Sequence, residues 1–225
     1  MADKEILIFV EGPSDKVFLE AYLYFLEDIP IKNFKVKDVT GKDNLSTKRL
    51  LEIEKYDKTL IIFDADKDYE SNKKEILKVV SKTKQTISEE QIFLFPNNQD
   101  DGDLETLLLE IAKYDEFLKC FEGYLECIKN KEHYKPIRNI RKNMLYAYLE
   151  VFELQKFFQY KWDTNNKKNE IFKLNLIYKM ITPLLYQKST KLILKNALFS
   201  IKAHILFSIF PLSFLFFENT NNYMI

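Results

Sequence analysis

The chain has 225 residues, enough for one sizeable core, and its 34 Lys+Arg balance 34 Asp+Glu, so net charge supports neither a strongly basic nucleic-acid clamp nor an acidic tail. Charged residues at 30% beside 46% hydrophobic ones fit a globular chain and argue against disorder. Only four glycines are present, where average usage would give roughly sixteen. Neither GxxxxGK followed by Ser or Thr nor GxGxxG occurs, which excludes P-loop ATPases, kinases and Rossmann dehydrogenases.

Ile6–Val10 (ILIFV) is an apolar, β-branched run that reads as a buried strand, and Gly12-Pro13 follows with proline placed for a first helical position. Phe18, Ala21, Tyr22 and Phe25 recur at helical spacing, giving an amphipathic helix to about residue 27. A weaker strand is expected over Phe34–Val39, a turn at Gly41–Asn44 and a short helix over Leu45–Glu54. Thr59–Phe63 (TLIIF) is a third strand, followed by a helix over about residues 70–82, and Ile92–Phe95 (IFLF) is a fourth, stopped by Pro96. Leu104, Leu107, Leu108 and Ile111 then mark one more helical face. Strands alternating with helices predict an α/β fold: a four-stranded, mostly parallel, Rossmann-like sheet flanked by helices joined through right-handed crossovers. Residues 1–116 form this core, and 117–170 are a helical, aromatic extension completing the domain.

From residue 171 onward the chain has six lysines and one acid, so a body of about −5 carries a tail of about +5. Within 171–225 the stretch Leu192–Phe217 is strongly apolar. Its uncharged part, Ala203–Phe217, falls short of the ~20 residues that span a bilayer and is broken by Pro211. Three readings stay open: a helix covering the helical flank, a membrane-associated segment (the less favoured), or a C-terminus with no stable fold. If exposed it is an aggregation hazard. Cys120 and Cys127 lie outside any CxxC and His133 and His204 are far apart, so zinc, a disulfide framework and a Cys–His nucleophile lack support. The acids among the first five residues lead straight into a strand, so no signal peptide is expected and the location expected is cytoplasmic.

A parallel sheet of this kind binds ligands beyond the carboxyl ends of its strands. There the sequence places Glu11 and Asp15 after the first strand, Lys42 and Asp43 after the second, Asp64 and Asp66 after the third, and Asp100, Asp101, Asp103 and Glu105 after the fourth. If the third strand persists, Asp64 and Asp66 point the same way. Two carboxylates about 5 Å apart repel by about 3 kcal/mol at an effective dielectric near 20. Such a cluster takes up protons or holds a divalent cation, and oxygen ligands without His or Cys favour Mg²⁺ or Mn²⁺. Glu11, Asp15, Asp64, Asp66 and Glu105 could supply one or two metal sites, an arrangement suited to in-line displacement at phosphodiesters. Each acid alone also fits a loop or helix-capping role; Asp43 and Asp68 read as surface acids.

Val10-Glu11-Gly12-Pro13-Ser14-Asp15 after one strand and Asp64-Ala65-Asp66 after another resemble a TOPRIM domain, the metal-binding module of topoisomerases, primases and related nucleases. The acid four residues after Glu11, and Gly102-Asp103-Leu104-Glu105 opening a leucine-rich helix, resemble the OLD (overcoming lysogenization defect) branch, especially its small stand-alone relatives. The resemblance spans roughly residues 4–165. It implies a Mg²⁺- or Mn²⁺-dependent nuclease acting on DNA or RNA, in a setting such as phage defence. Glu11 would be metal ligand or general base, Asp15 the second acid, Asp64 and Asp66 the metal-binding pair, and Glu105 the late acid completing the centre. The segment Arg141–Leu149 resembles the OLD helix that carries a lysine, which makes Lys142 the candidate to stabilise charge on the phosphate. Full-length OLD enzymes carry an ATPase domain that this chain lacks, so a separate ATPase chain is an expected partner, and a homodimer is a further assembly consistent with the resemblance. The alternative is a catalytically inactive TOPRIM module that binds nucleic acid or a partner protein.

Overall fold

The computed structural model describes residues 6–25, 34–41, 45, 51, 53–82, 87–110, 112 and 114–154. The elements in chain order are β1 (Ile6–Val10), α1 (Pro13–Phe25), β2 (Phe34–Asp38), β3 (Lys58–Asp64), α2 (Tyr69–Val80), a 3₁₀ turn at Glu89–Gln91, β4 (Ile92–Phe95), α3 (Leu104–Glu110), α4 (Asp115–Lys129) and α5 (Ile140–Val151). Of the helix expected over Leu45–Glu54, residues 51 and 53 are helical, Leu45 and Glu54 at its two ends are not, and the rest lie outside the described residues, as do Lys42, Asp43 and the tail.

All pairings are parallel and the strand order is β2-β1-β3-β4. The sheet is an α/β layer buried on both faces, which is why its inner strands read as unbroken apolar runs. Side chains alternate between two cores. Ile6, Ile8 and Val10 join Leu60, Ile62, Phe93 and Phe95 beneath α1, α3 and α5, through Phe18, Leu19, Leu107, Leu145 and Leu149. Leu7, Phe9, Ile61, Phe63, Ile92 and Leu94 face the other way, against Ile53 and, from α2, Ile76 and Val80. The chain runs outward from β1 to β2, then returns past β1 to β3, so the order reverses between β1 and β3. In an open parallel sheet that reversal leaves a crevice at the carboxyl ends of the two strands.

The loops at this rim are stitched together by backbone hydrogen bonds. Gly41 N–H donates to the Glu11 carbonyl (2.9 Å), Ala65 N–H to Phe95 O (3.1 Å) and Asp66 N–H to Gly102 O (2.7 Å). Gly102 sits at φ +148°, and a Cβ there would come within 3.0 Å of both Pro96 Cδ and Thr106 Oγ1. The glycine therefore lets the β4 loop lie against the start of α3 while its carbonyl holds the β3 loop.

Helix α4 keeps no fully buried side chain. It is moored through an aromatic group in which Tyr114 stacks on Phe152 (5.2 Å between centroids) and Phe117 meets the same ring edge-on (5.5 Å). Helix α5, by contrast, sends Leu145 and Leu149 into the sheet core. The boundary expected at 170/171 lies outside the described residues, and among those residues no helix is long and apolar enough to cross a membrane.

Gly102→Ala is expected to destabilise the fold by about 1–3 kcal/mol through backbone strain and the two contacts its methyl would force. Urea denaturation of the variant against the native chain checks this.

Candidate metal centre

Val10 pairs with Ile62 across the β1–β3 ladder. Glu11, the first residue beyond β1, therefore stands beside the end of β3, where Asp64 is the terminal strand residue. Strands in a sheet lie about 4.8 Å apart, so the two acids are neighbours although 53 positions separate them in sequence. Asp64 shares the parity of Leu60 and Ile62 and faces the side covered by α1 and α3; its Oδ1 accepts a hydrogen bond from Leu104 N–H at the start of α3 (3.1 Å).

The other members arrive on helix N-termini. Pro13 opens α1 with its φ preset, placing Asp15 in the first turn, where the helix dipole favours negative charge. Asp15 is only 7% exposed, and its Oδ2 accepts from Gly12 N–H at 2.7 Å. At α3, Asp103 precedes the helix and its Oδ1 accepts from both Thr106 N–H (2.8 Å) and Thr106 Oγ1 (2.6 Å), a cap that fixes the first turn and with it Glu105. From α5, Lys142 Nζ stands 3.9 Å from Glu105 Oε1.

Electrostatics tie these groups into one cluster. Burial pushes the Asp64 carboxyl up from its ordinary 3.8 to about 9, with further upward contributions from Asp15, Glu11 and Glu105 that outweigh the Leu104 hydrogen bond. Burial likewise raises Asp15 to about 7, with Glu105 and Glu11 adding to it and Gly12 N–H and Lys142 opposing. Four carboxyl groups from β1, α1, β3 and α3 thus sense one another, with a lysine at the edge. Uncompensated, the cluster holds protons at neutral pH.

Asp66 departs from the expected arrangement. The strand ends at Asp64, and Asp66 is exposed, with φ +55° in the left-handed region. The alternation that would have aligned it with Asp64 is therefore lost after one residue. Neither Asp15 nor Asp64 has Asp66 among its principal electrostatic neighbours.

The remaining acids near β4 hold the loops. Asp100 accepts from Asn97 Nδ2 within the turn (2.7 Å), and Asp101 accepts from Tyr69 N–H at the start of α2 (2.8 Å). Asp68 caps α2 through Ser71 N–H (2.9 Å). Asp103 has a second function that sequence reasoning missed. Its Oδ2 accepts from Arg141 Nε (3.2 Å) and Nη2 (2.9 Å), clasping α5 to α3 beside the lysine–glutamate pair. The two residues are 38 positions apart, so no local pattern could have paired them.

The donor set is all carboxylate oxygen, with Asp15 buried, Glu11, Asp64 and Glu105 half-buried, and Lys142 the cation beside them, and this chemistry fits Mg²⁺ or Mn²⁺. Among the described residues no three of these acids enclose a position where an ion would be fully ligated. They perturb one another electrostatically all the same.

A family model described as "Protein of unknown function (DUF3226)" matches residues 5–176. No curated protein matches the chain. Among solved structures, the C-terminal region of the Burkholderia pseudomallei OLD protein is similar at 13% identity, covering 90% of this chain and 99% of that one with a TM-score of 0.42, a superposition too loose to establish a common fold.

A carboxyl whose pKa rises on folding favours the folded state most at low pH, and that stability is lost as pH rises through the folded value. The metal-free protein should therefore lose stability between about pH 4 and pH 9, through the Asp15 step near 7 and the Asp64 step near 9. Asp64→Asn should flatten this decline and raise the midpoint at pH 8. Thermal denaturation in chelator across that range checks it, and an undiminished slope in the variant would assign the pH dependence elsewhere.

Proposed function

The chain belongs to the DUF3226 family, whose description assigns no activity, and from its rim of carboxylates we propose that it is a TOPRIM-type, divalent-metal-dependent nuclease of the OLD kind. The observation that carries the reading is the convergence of Glu11, Asp15, Asp64 and Glu105, with Lys142 beside them, at the crevice where the strand order reverses. That crevice is where open α/β sheets place their ligands.

Glu11, Asp64 and Glu105 would hold Mg²⁺ or Mn²⁺, with Asp15 at the inner wall; Asp66, on its exposed turn, would serve only a second ion or a water shell. The bound ion supplies charge for the phosphoryl oxygens and a more acidic water. The chain's own residues do the rest. Asp15, held by Gly12 N–H and buried, would be the carboxyl placed to exchange a proton with a reacting oxygen. Lys142, 3.9 Å from Glu105, would supply the cation that offsets charge gained by a phosphate. Asp103 and Arg141 keep the two helices in register.

The second reading is a module that binds nucleic acid or a partner protein without cleaving. The specific observation favouring it is that, among the described residues, the acids do not close into a ligand shell. Plasmid nicking decides between the two. Native protein with Mn²⁺ should convert supercoiled DNA to the open circle. Glu11→Ala should abolish this, and Lys142→Ala should slow it by about 10²-fold or more, the scale for losing one preorganised charge stabiliser. Inertness towards duplex DNA, single-stranded DNA and RNA alike would favour the binding module. In the nuclease reading an ATPase acting on nucleic acid is the natural separate partner chain.

A further inference from the structure

Although the chain is neutral overall, its cations are not evenly spread. Residues 129–142 carry Lys129, Lys131, Lys135, Arg138, Arg141 and Lys142 against the single acid Glu132, and hold two of the chain's three arginines. The remaining residues have 28 Lys and Arg against 33 acids. This run is the connection from α4 into α5, and it ends at the acid cluster.

Its members divide by partner. Lys129 pairs with Glu126 at the end of α4, Arg141 with Asp103 and Lys142 with Glu105. Lys131, Lys135 and Arg138 are exposed and make no ion pair with any described residue. Arg138 is nevertheless fixed in place: its carbonyl accepts from Asn143 Nδ2 (2.8 Å), and Asn139 turns the chain at φ +54° into α5, where Asn143 N–H closes the first turn on Asn139 O (3.0 Å). A turn closed by Tyr134 N–H on Lys131 O (3.0 Å) shortens the segment, so Lys131 to Arg138 spans at most about 20 Å, a length along which a polynucleotide strand presents several phosphates.

We propose that this connection is a phosphate-binding arm that holds the sugar–phosphate backbone of a polynucleotide and leads it to the carboxylate cluster. The inference rests on the nuclease reading and specifies how its substrate is gripped. A rim of four acids repels a polyanion; a strip of uncompensated cations beside it reverses the local field and draws the strand in. Lysines and an arginine on an exposed connection contact phosphates and leave base identity unread, so the binding is sequence-independent.

The experiment compares the full native chain with a Lys131→Gln, Lys135→Gln, Arg138→Gln triple variant. Anisotropy of fluorescein-labelled duplex DNA, single-stranded DNA and RNA is followed in Ca²⁺ across a salt series, and plasmid nicking is followed in Mn²⁺. The variant should bind on the order of tenfold or more weakly at low salt, with its log–log salt slope on duplex DNA shallower by up to about 2.7, three phosphate contacts' worth. Nicking should show a raised KM and an unchanged kcat. Exchanging the same three positions between Lys and Arg should restore binding, which separates lost charge from lost fold. Unchanged affinity and slope in the triple variant overturn the arm, and so does capture of the native chain by phosphatidylserine vesicles in preference to all three nucleic acids. Tight, arm-dependent binding without any nicking would instead leave the arm standing and defeat the nuclease reading.

Discussion

Burial of carboxyl groups at the β1–β3 crevice, sharpened by their mutual repulsion, is the constraint around which the rest of this molecule is arranged. Asp15 and Asp64 sit where burial alone already disfavours their charge, and Glu11 and Glu105 raise the cost of ionising them further. A fold optimised only for stability would place apolar or neutral side chains there. Acids here are intelligible if a divalent ion completes the site, because a bound cation turns their mutual repulsion into shared attraction.

The scaffold holds that unfavourable cluster in place with stable elements. Strands β1 and β3 are central in the sheet and buried on both faces, so the positions immediately after Val10 and at Asp64 inherit their rigidity. Helices α1 and α3 deliver Asp15 and Glu105 from their first turns, with Pro13 and the Asp103 cap setting where those turns begin. The Arg141–Asp103 clasp then ties α5 to the same corner, which brings both Lys142 and the basic connection before it to the edge of the acids.

Much of this was legible in the residues. Buried parallel strands are unbroken apolar runs, and the ILIFV, TLIIF and IFLF segments could be little else. A parallel sheet then puts every residue that follows a strand on one rim, which is how Glu11, Asp15, Asp64 and Glu105 could be grouped across more than ninety positions. Two features were not legible. The direction of Asp66 depends on the left-handed turn of that one residue, and the two-residue period of a strand cannot report where the strand ends. Asp103 resembled any other loop acid, because its arginine partner lies in a helix whose docking only the packing of Leu145 and Leu149 determines.

Crystals of the native protein soaked in Mn²⁺ and measured at the manganese edge test the central claim most directly. An anomalous peak bounded by carboxylate oxygens of residues 11, 64 and 105, with Asp15 pulled towards it, is the outcome the account requires. Manganese settling only on the outer acids around Asp68 and Asp101, with the inner four left as neighbours of one another alone, would contradict it.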